Sequence, residues 1–186
     1  MKKVSAILII LLLVLLIGCG KKELPYEASL IRCGQYGHRF EYNNTILKDE
    51  FIYGNTISGC DYLNPSYDST DPYSQEYISY NESPKSKTII ISSKNYADDI
   101  FVDSFNIDYI DYDKELLILY IFPDCNCSYK IEDVTNDMQK LVFNVKYKIR
   151  YTTSPQPTFL LIKIKKVEFE DVSFNIYRDV KWLAKR

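Results

Sequence analysis

From Leu141 to Tyr151 apolar or aromatic side chains fall on every second position (Leu141, Phe143, Val145, Tyr147, Ile149, Tyr151), with Asn144, Lys146, Lys148 and Arg150 between them. Successive side chains of a strand point to opposite faces, so this period of two demands a half-buried strand. A helix would repeat its apolar face every three to four residues instead. The segment Glu115 to Phe122, ELLILYIF, is apolar on both faces and predicts a central strand covered on both sides, ended by Pro123 and Asp124. Two such strands in one chain commit it to a layered β architecture.

The flanking segments extend that reading. Thr88 to Ser92 (TIIIS) has strand length, and Ser128 to Val134 is a further strand. After a turn at Ser154-Pro155-Gln156-Pro157, Phe159 to Lys165 turns Leu160, Ile162 and Ile164 inward, and a last strand does the same with Val172, Phe174 and Ile176. Lys94 to Phe101 predicts one small helix with Ser93 as its cap. Abundant isoleucine and tyrosine (17 Tyr) with little alanine favour strands over helices. The expected fold is mainly β: an antiparallel β-sandwich-like domain over 88–177 with one short helix and about six strands, mostly antiparallel. Before it, Ser29 to Tyr53 suggests a hairpin turning at Asn43-Asn44. Asp61 to Lys87, with Pro65, Pro72 and Pro84 among Ser, Asp and Asn, reads as a long loop, so that 29–87 forms a hairpin and loop ahead of the domain. Residues 178–186 remain as a tail.

The first 28 residues follow a different logic. Lys2-Lys3 precede an uncharged apolar run from Ala6 to Ile17, and Gly18 is the small residue expected before a signal-peptidase cut, so 1–18 reads as a signal peptide. As a membrane span the run is too short, about a dozen residues against the roughly 20 a hydrocarbon core requires. Residues 19–28 read as a polar tether. Lys2 and Lys3 leave with the leader, so the exported part keeps 21 basic and 25 acidic residues, a net charge of −4 with His38 neutral. That balance argues against nucleic acid as a partner.

Leu16-Ile17-Gly18-Cys19 resembles the lipobox of bacterial lipoproteins. The resemblance implies cleavage between Gly18 and Cys19 and acylation of the Cys19 thiol. Two or three acyl chains, at roughly 0.8 kcal/mol per buried methylene, would hold the protein on a membrane where one chain binds only marginally. Membrane lipid is thus the first implied partner, and the cell envelope, outside the cytoplasm, the implied location.

Further on, Asp111-Tyr112-Asp113-Lys114-Glu115, Tyr129-Lys130-Ile131, Leu141 to Tyr147 and Ser154 to Val167 together resemble the small lipoprotein domain named for PrcB, a subunit of a bacterial surface protease complex. The likeness covers roughly 88–170 and lies in pattern more than in identities. Where that family tends to carry glycines before the tyrosine, this chain has Asn126-Cys127-Ser128. What the resemblance implies is a non-catalytic β-domain, sometimes a partner of another exported protein, with no catalytic residue set.

Reactive groups are few. His38 is the one histidine, and no GxSxG, P-loop, GxGxxG or HExxH motif occurs, so hydrolase triads and most metal sites lack their parts. No catalytic residue, metal or cofactor is expected. Cys33, Cys60, Cys125 and Cys127 are disulfide candidates in an oxidising compartment; three pairings exist, and the favoured one joins Cys33 to Cys60. Cys125-Asn126-Cys127 is the sharpest chemical candidate. Two thiols on a turn can exchange disulfides or bind a soft cation, which gives an alternative function as an envelope thiol-disulfide or metal-handling protein. In extended chain their side chains stand too far apart for a disulfide, so a turn would have to join them. Asp108, Asp111, Asp113 and Glu115 lack the register of a calcium loop. Lys146, Lys148, Arg150, Lys163, Lys165 and Lys166 are expected to pair across strands with Glu168, Glu170 and Asp171. Tyr67, Tyr73 and Tyr77 offer a third reading, stacking on sugars.

Overall fold

A computed structural model describes residues 22–32, 46–48, 57–64, 66–75, 77–125, 127–136, 139–149 and 155–179. Ten strands and one helix are formed among them: β1 Lys22–Glu23, β2 Tyr26–Arg32, β3 Cys60–Leu63, β4 Tyr77–Tyr80, β5 Lys87–Ile91, α1 Lys94–Ile100, β6 Glu115–Asp124, β7 Cys127–Asn136, β8 Lys140–Ile149, β9 Gln156–Lys165 and β10 Asp171–Arg178. They build two four-stranded sheets, of order β2-β9-β6-β5 (sheet I) and β1-β7-β8-β10 (sheet II), with β3-β4 as a separate hairpin. Two sheets face to face give the expected sandwich.

The continuous apolar run of β6 is explained by layering. Leu116, Ile118, Tyr120 and Phe122 face sheet II and meet Leu141, Phe143 and Val145 of β8 and Ile131 and Val134 of β7. Leu117, Leu119 and Ile121 face the other way, against Leu47, Ile57, Cys60, Ala97, Ile100, Phe101, Ile107 and Ile110. Sheet I is therefore a middle layer with a core on each side. The same holds for β9, where Phe159 and Leu161 are buried beside the inward Leu160, Ile162 and Ile164. β8 alternates between buried and half-buried or exposed residues and sends Asn144, Lys146 and Lys148 to the solvent side, as its period requires.

Two irregularities refine the pattern. Ile131 and Val134 are three apart, an odd spacing that in a regular strand would put them on opposite faces. A β-bulge between Ile131 and Asp133 turns both inward and leaves Glu132 outside. The β8–β10 pair is parallel, not antiparallel, because β9 lies in the opposite sheet and brings the chain back to run in its former direction. Aromatic rings fill that seam: Phe174 of β10 stacks on Tyr120 at 3.8 Å and on Phe143 at 4.7 Å.

The helix begins where Ser93 predicts, with the Ser93 hydroxyl accepting from the Tyr96 N–H, and Ala97 and Ile100 are buried. Other expectations need correction. Within 61–87 the chain forms the β3–β4 hairpin, with Cys60 opposite Tyr80 and Leu63 opposite Tyr77. Lys22–Glu23 and Tyr26–Arg32, the former and part of the latter assigned to a tether, are strands paired with β7 and β9. β2 and the residues Leu47, Ile57 and Cys60 share cores with 88–177, so the earlier segment is built into the same sandwich. The Asn43-Asn44 turn lies outside the described residues. No helix among them is long and apolar enough to cross a membrane.

Candidate functional site at the corner between the sheets

The link from β6 to β7 puts an aspartate and two cysteines next to a change of layer. At the end of β6, Pro123 stands opposite Pro157 of β9. Neither imide has an N–H to give, so the ladder of sheet I weakens there and the chain is released towards sheet II. It crosses through Cys125-Asn126 and enters β7 at Cys127.

Asp124 organises this corner. It is only 3 % exposed, and its Oδ1 accepts from the Cys127 backbone N–H at 2.9 Å and from the Tyr129 hydroxyl at 2.8 Å. Tyr129 in turn sets its ring edge-on to Phe122 at 4.9 Å, so the corner is clamped to the core by one polar and one aromatic contact. Burial is the main cause that drives the Tyr129 phenol above its ordinary range, and the hydrogen bond to Asp124 adds to it. The Cys127 thiol is likewise pushed up to about 11, first by burial and then by the Asp124 charge.

The rise favours the protonated form of the Cys127 thiol. The thiolate is the nucleophile and the metal ligand, and at pH 7 a thiol of pKa near 11 is ionised in only about one molecule in ten thousand. Cys125 is half-exposed, Cys127 is turned into the core, and no disulfide joins the two. No disulfide links any two described cysteines, and no group of three or more His, Cys, Asp or Glu among the described residues is placed to hold a metal. The corner is built as a clasp.

No family model, curated protein or solved structure matches the chain. The other sequence candidates are accordingly judged on geometry alone. Gly18, Cys19, Cys33 and His38 lie outside the described residues, and with Cys33 so does the Cys33–Cys60 pairing; Cys60 itself is buried under sheet I. Asp108 is taken by Lys94, Asp111 by Lys114 at 2.6 Å, and Glu115 lies 3.7 Å from Lys163. Three of the four carboxylates are thus taken up in ion pairs with different lysines. Three lysines of the basic stripe are paired, with partners other than those expected: Lys146 lies 3.1 Å from Glu132, Lys148 lies 3.6 Å from Asp179, and Lys163 lies 3.0 Å from Glu27. Among pairs of described residues, Asp171 of the acidic trio joins Lys140 at 3.3 Å. Tyr73 is 90 % exposed on the loop between β3 and β4, with Tyr67 also exposed, while the side chain of Tyr77 is outside the described residues.

Asp124 and Tyr129 were not singled out by sequence as a pair. The available signal was an aspartate three residues before a strand's first amide, directly after a proline, a spacing that suits side-chain capping of a turn. A second concavity of about 660 Å³ runs beside α1, lined by Lys48, Lys94, Asp98, Asp99, Asp103 and Asp108 among others. Its charges are of both signs, and Lys48 already donates to the Asp98 carbonyl.

Proposed function

We propose that this chain is an exported bacterial lipoprotein, held at a membrane through acylated Cys19, whose β-sandwich binds or helps assemble another envelope or surface protein without catalysis. The observation that carries the reading is Leu16-Ile17-Gly18-Cys19 at the end of an uncharged apolar run that follows two lysines. The pattern resemblance to the PrcB-type domain supports a binding role.

Metabolic labelling with a palmitate analogue tests the anchor. The wild-type chain takes up label and fractionates with membranes, and Cys19→Ser takes up none. Label-free protein in the cytosol would overturn the reading. Affinity capture from the native membranes with the acylated chain tests the binding role, and a reproducible protein partner lost on mild salt or detergent change alone would count against it. Cysteine mapping addresses the thiol alternative: a Cys125–Cys127 pair that cycles between thiol and disulfide would replace the binding role with redox chemistry.

A further inference from the structure

The distance along the chain from the lipid to the fold is short, and it fixes an orientation. Strand β1 begins at Lys22, three residues after Cys19. Whatever their conformation, three residues reach at most about 11 Å, since an extended chain gains no more than roughly 3.6 Å per residue. We propose that in the anchored protein the end of the sandwich at Lys22, Asn136 and Lys140 rests on the lipid headgroups, with the Asp124–Cys127 corner directed away from the membrane. The inference relies on acylation of Cys19 and adds to it which surface meets the bilayer.

The attachment point cannot swing freely, because β1 is fastened to the body. Lys22 pairs with Asn136 and Glu23 with Thr135. The Leu24 N–H donates to the Val134 carbonyl at 2.9 Å, and the Leu24 side chain packs against the inter-sheet core. Just beyond, the Tyr26 hydroxyl donates to the Ile131 carbonyl at 2.8 Å. The anchor is therefore tied to the end of β7 at Asn136.

That end is itself a fixed surface. The Gln139 carbonyl accepts from the N–H groups of Glu170 and Asp171, and the Asn136 amide donates to the Glu168 carbonyl at 3.1 Å. Gln139, just before β8, Asn136 at the end of β7 and the connection into β10 are thereby joined into one rim. Gln139, Lys140, Glu168 and Glu170 are exposed on it. Such a rim, with charges of both signs, fits the polar headgroup layer and not the acyl interior. The opposite end of β7, where Cys127 pairs with Ile149, lies nine residues on, about 30 Å away at the rise of a strand. A tether of three residues cannot turn that end to the bilayer while β1 stays paired.

The test uses the full acylated chain in phosphatidylethanolamine–phosphatidylglycerol vesicles, with palmitate uptake measured on the same sample. A photo-crosslinking benzoylphenylalanine is placed at Gln139 in one variant and at Lys148, beside the far corner, in another. Lipid crosslinks several-fold stronger at 139 than at 148 are expected, and a Gly/Ser spacer of about twelve residues between Gly20 and Lys21 should reduce the difference. Equal crosslinking at the two positions in palmitoylated protein overturns the orientation and leaves the lipoprotein reading intact. A chain that takes up no palmitate overturns both.

Discussion

Replacing Asp124 with alanine removes one acceptor from two donors at once. The Cys127 N–H and the Tyr129 hydroxyl both end on the Asp124 carboxylate, which is 3 % exposed, so neither finds water without the corner opening. A buried donor stranded in this way costs about 1–3 kcal/mol. Two of them give an expected loss of about 2–6 kcal/mol. For a domain of ordinary stability, about 5–15 kcal/mol, that is a large share. Urea denaturation followed by tyrosine and tryptophan fluorescence reads it: the midpoint should fall by about 1–3 M for a slope near 2 kcal/mol/M. Asp124→Asn keeps an acceptor for both donors and should lose less than half as much. Tyr129→Phe removes one donor, and in the double variant the alanine penalty should shrink by about 1–2 kcal/mol because one stranded group is gone. An Asp124→Ala variant within about 0.5 kcal/mol of wild type would refute the clasp. So would a double variant whose losses simply add.

The thiol at the same corner gives a pH prediction. With its pKa raised to about 11 in the fold, Cys127 contributes stability that is fully present below the ordinary thiol range and is lost as pH climbs to 11. Two pH units amount to about 2–3 kcal/mol, so wild type should lose that much between pH 9 and 11 while Cys127→Ala shows a flatter profile; equal slopes would refute the assignment. Iodoacetamide at pH 7.5 with peptide mapping should alkylate Cys125 readily and Cys127 very slowly, and equal rates would contradict the burial of the second thiol. Phe143→Ala empties the centre of the inter-sheet seam, where Phe143 stacks on Phe174, and should cost about 3–5 kcal/mol in denaturant. Ser93→Ala removes the cap hydroxyl of α1 and should cost about 1 kcal/mol, with fraying of Lys94 to Tyr96 visible in amide exchange.

The elements most legible in sequence were those whose pattern is set by a local period or by length. β8 alternates because one face meets the core and the other meets water, and β6 is apolar throughout because sheet I lies between two cores. The Ser93 cap was legible because its hydroxyl acts only three residues away. The parallel pairing of β8 with β10 was not, since it depends on β9 belonging to the other sheet, a choice made by partners some 40 residues distant. The β3–β4 hairpin was hidden for another reason. Its strands are four residues each, and the segment between them is rich in proline, aspartate and serine, which read as loop when summed over a window.

The corner shows why a site is harder to read than a strand. In sequence, Pro123-Asp124-Cys125-Asn126-Cys127 has the composition of a solvated turn, and an aspartate there reads as a surface carboxylate. It is buried because the turn joins two sheets instead of two neighbours in one sheet, so both its ends pass into the core. The same fact separates the two cysteines in environment, one half-exposed and one enclosed, although they are two residues apart. A Cys-x-Cys motif therefore carries no fixed chemistry until its sheet assignments are known. Here the assignments enclose Cys127 beside a carboxylate that already holds two donors, an arrangement that fastens the end of the sandwich.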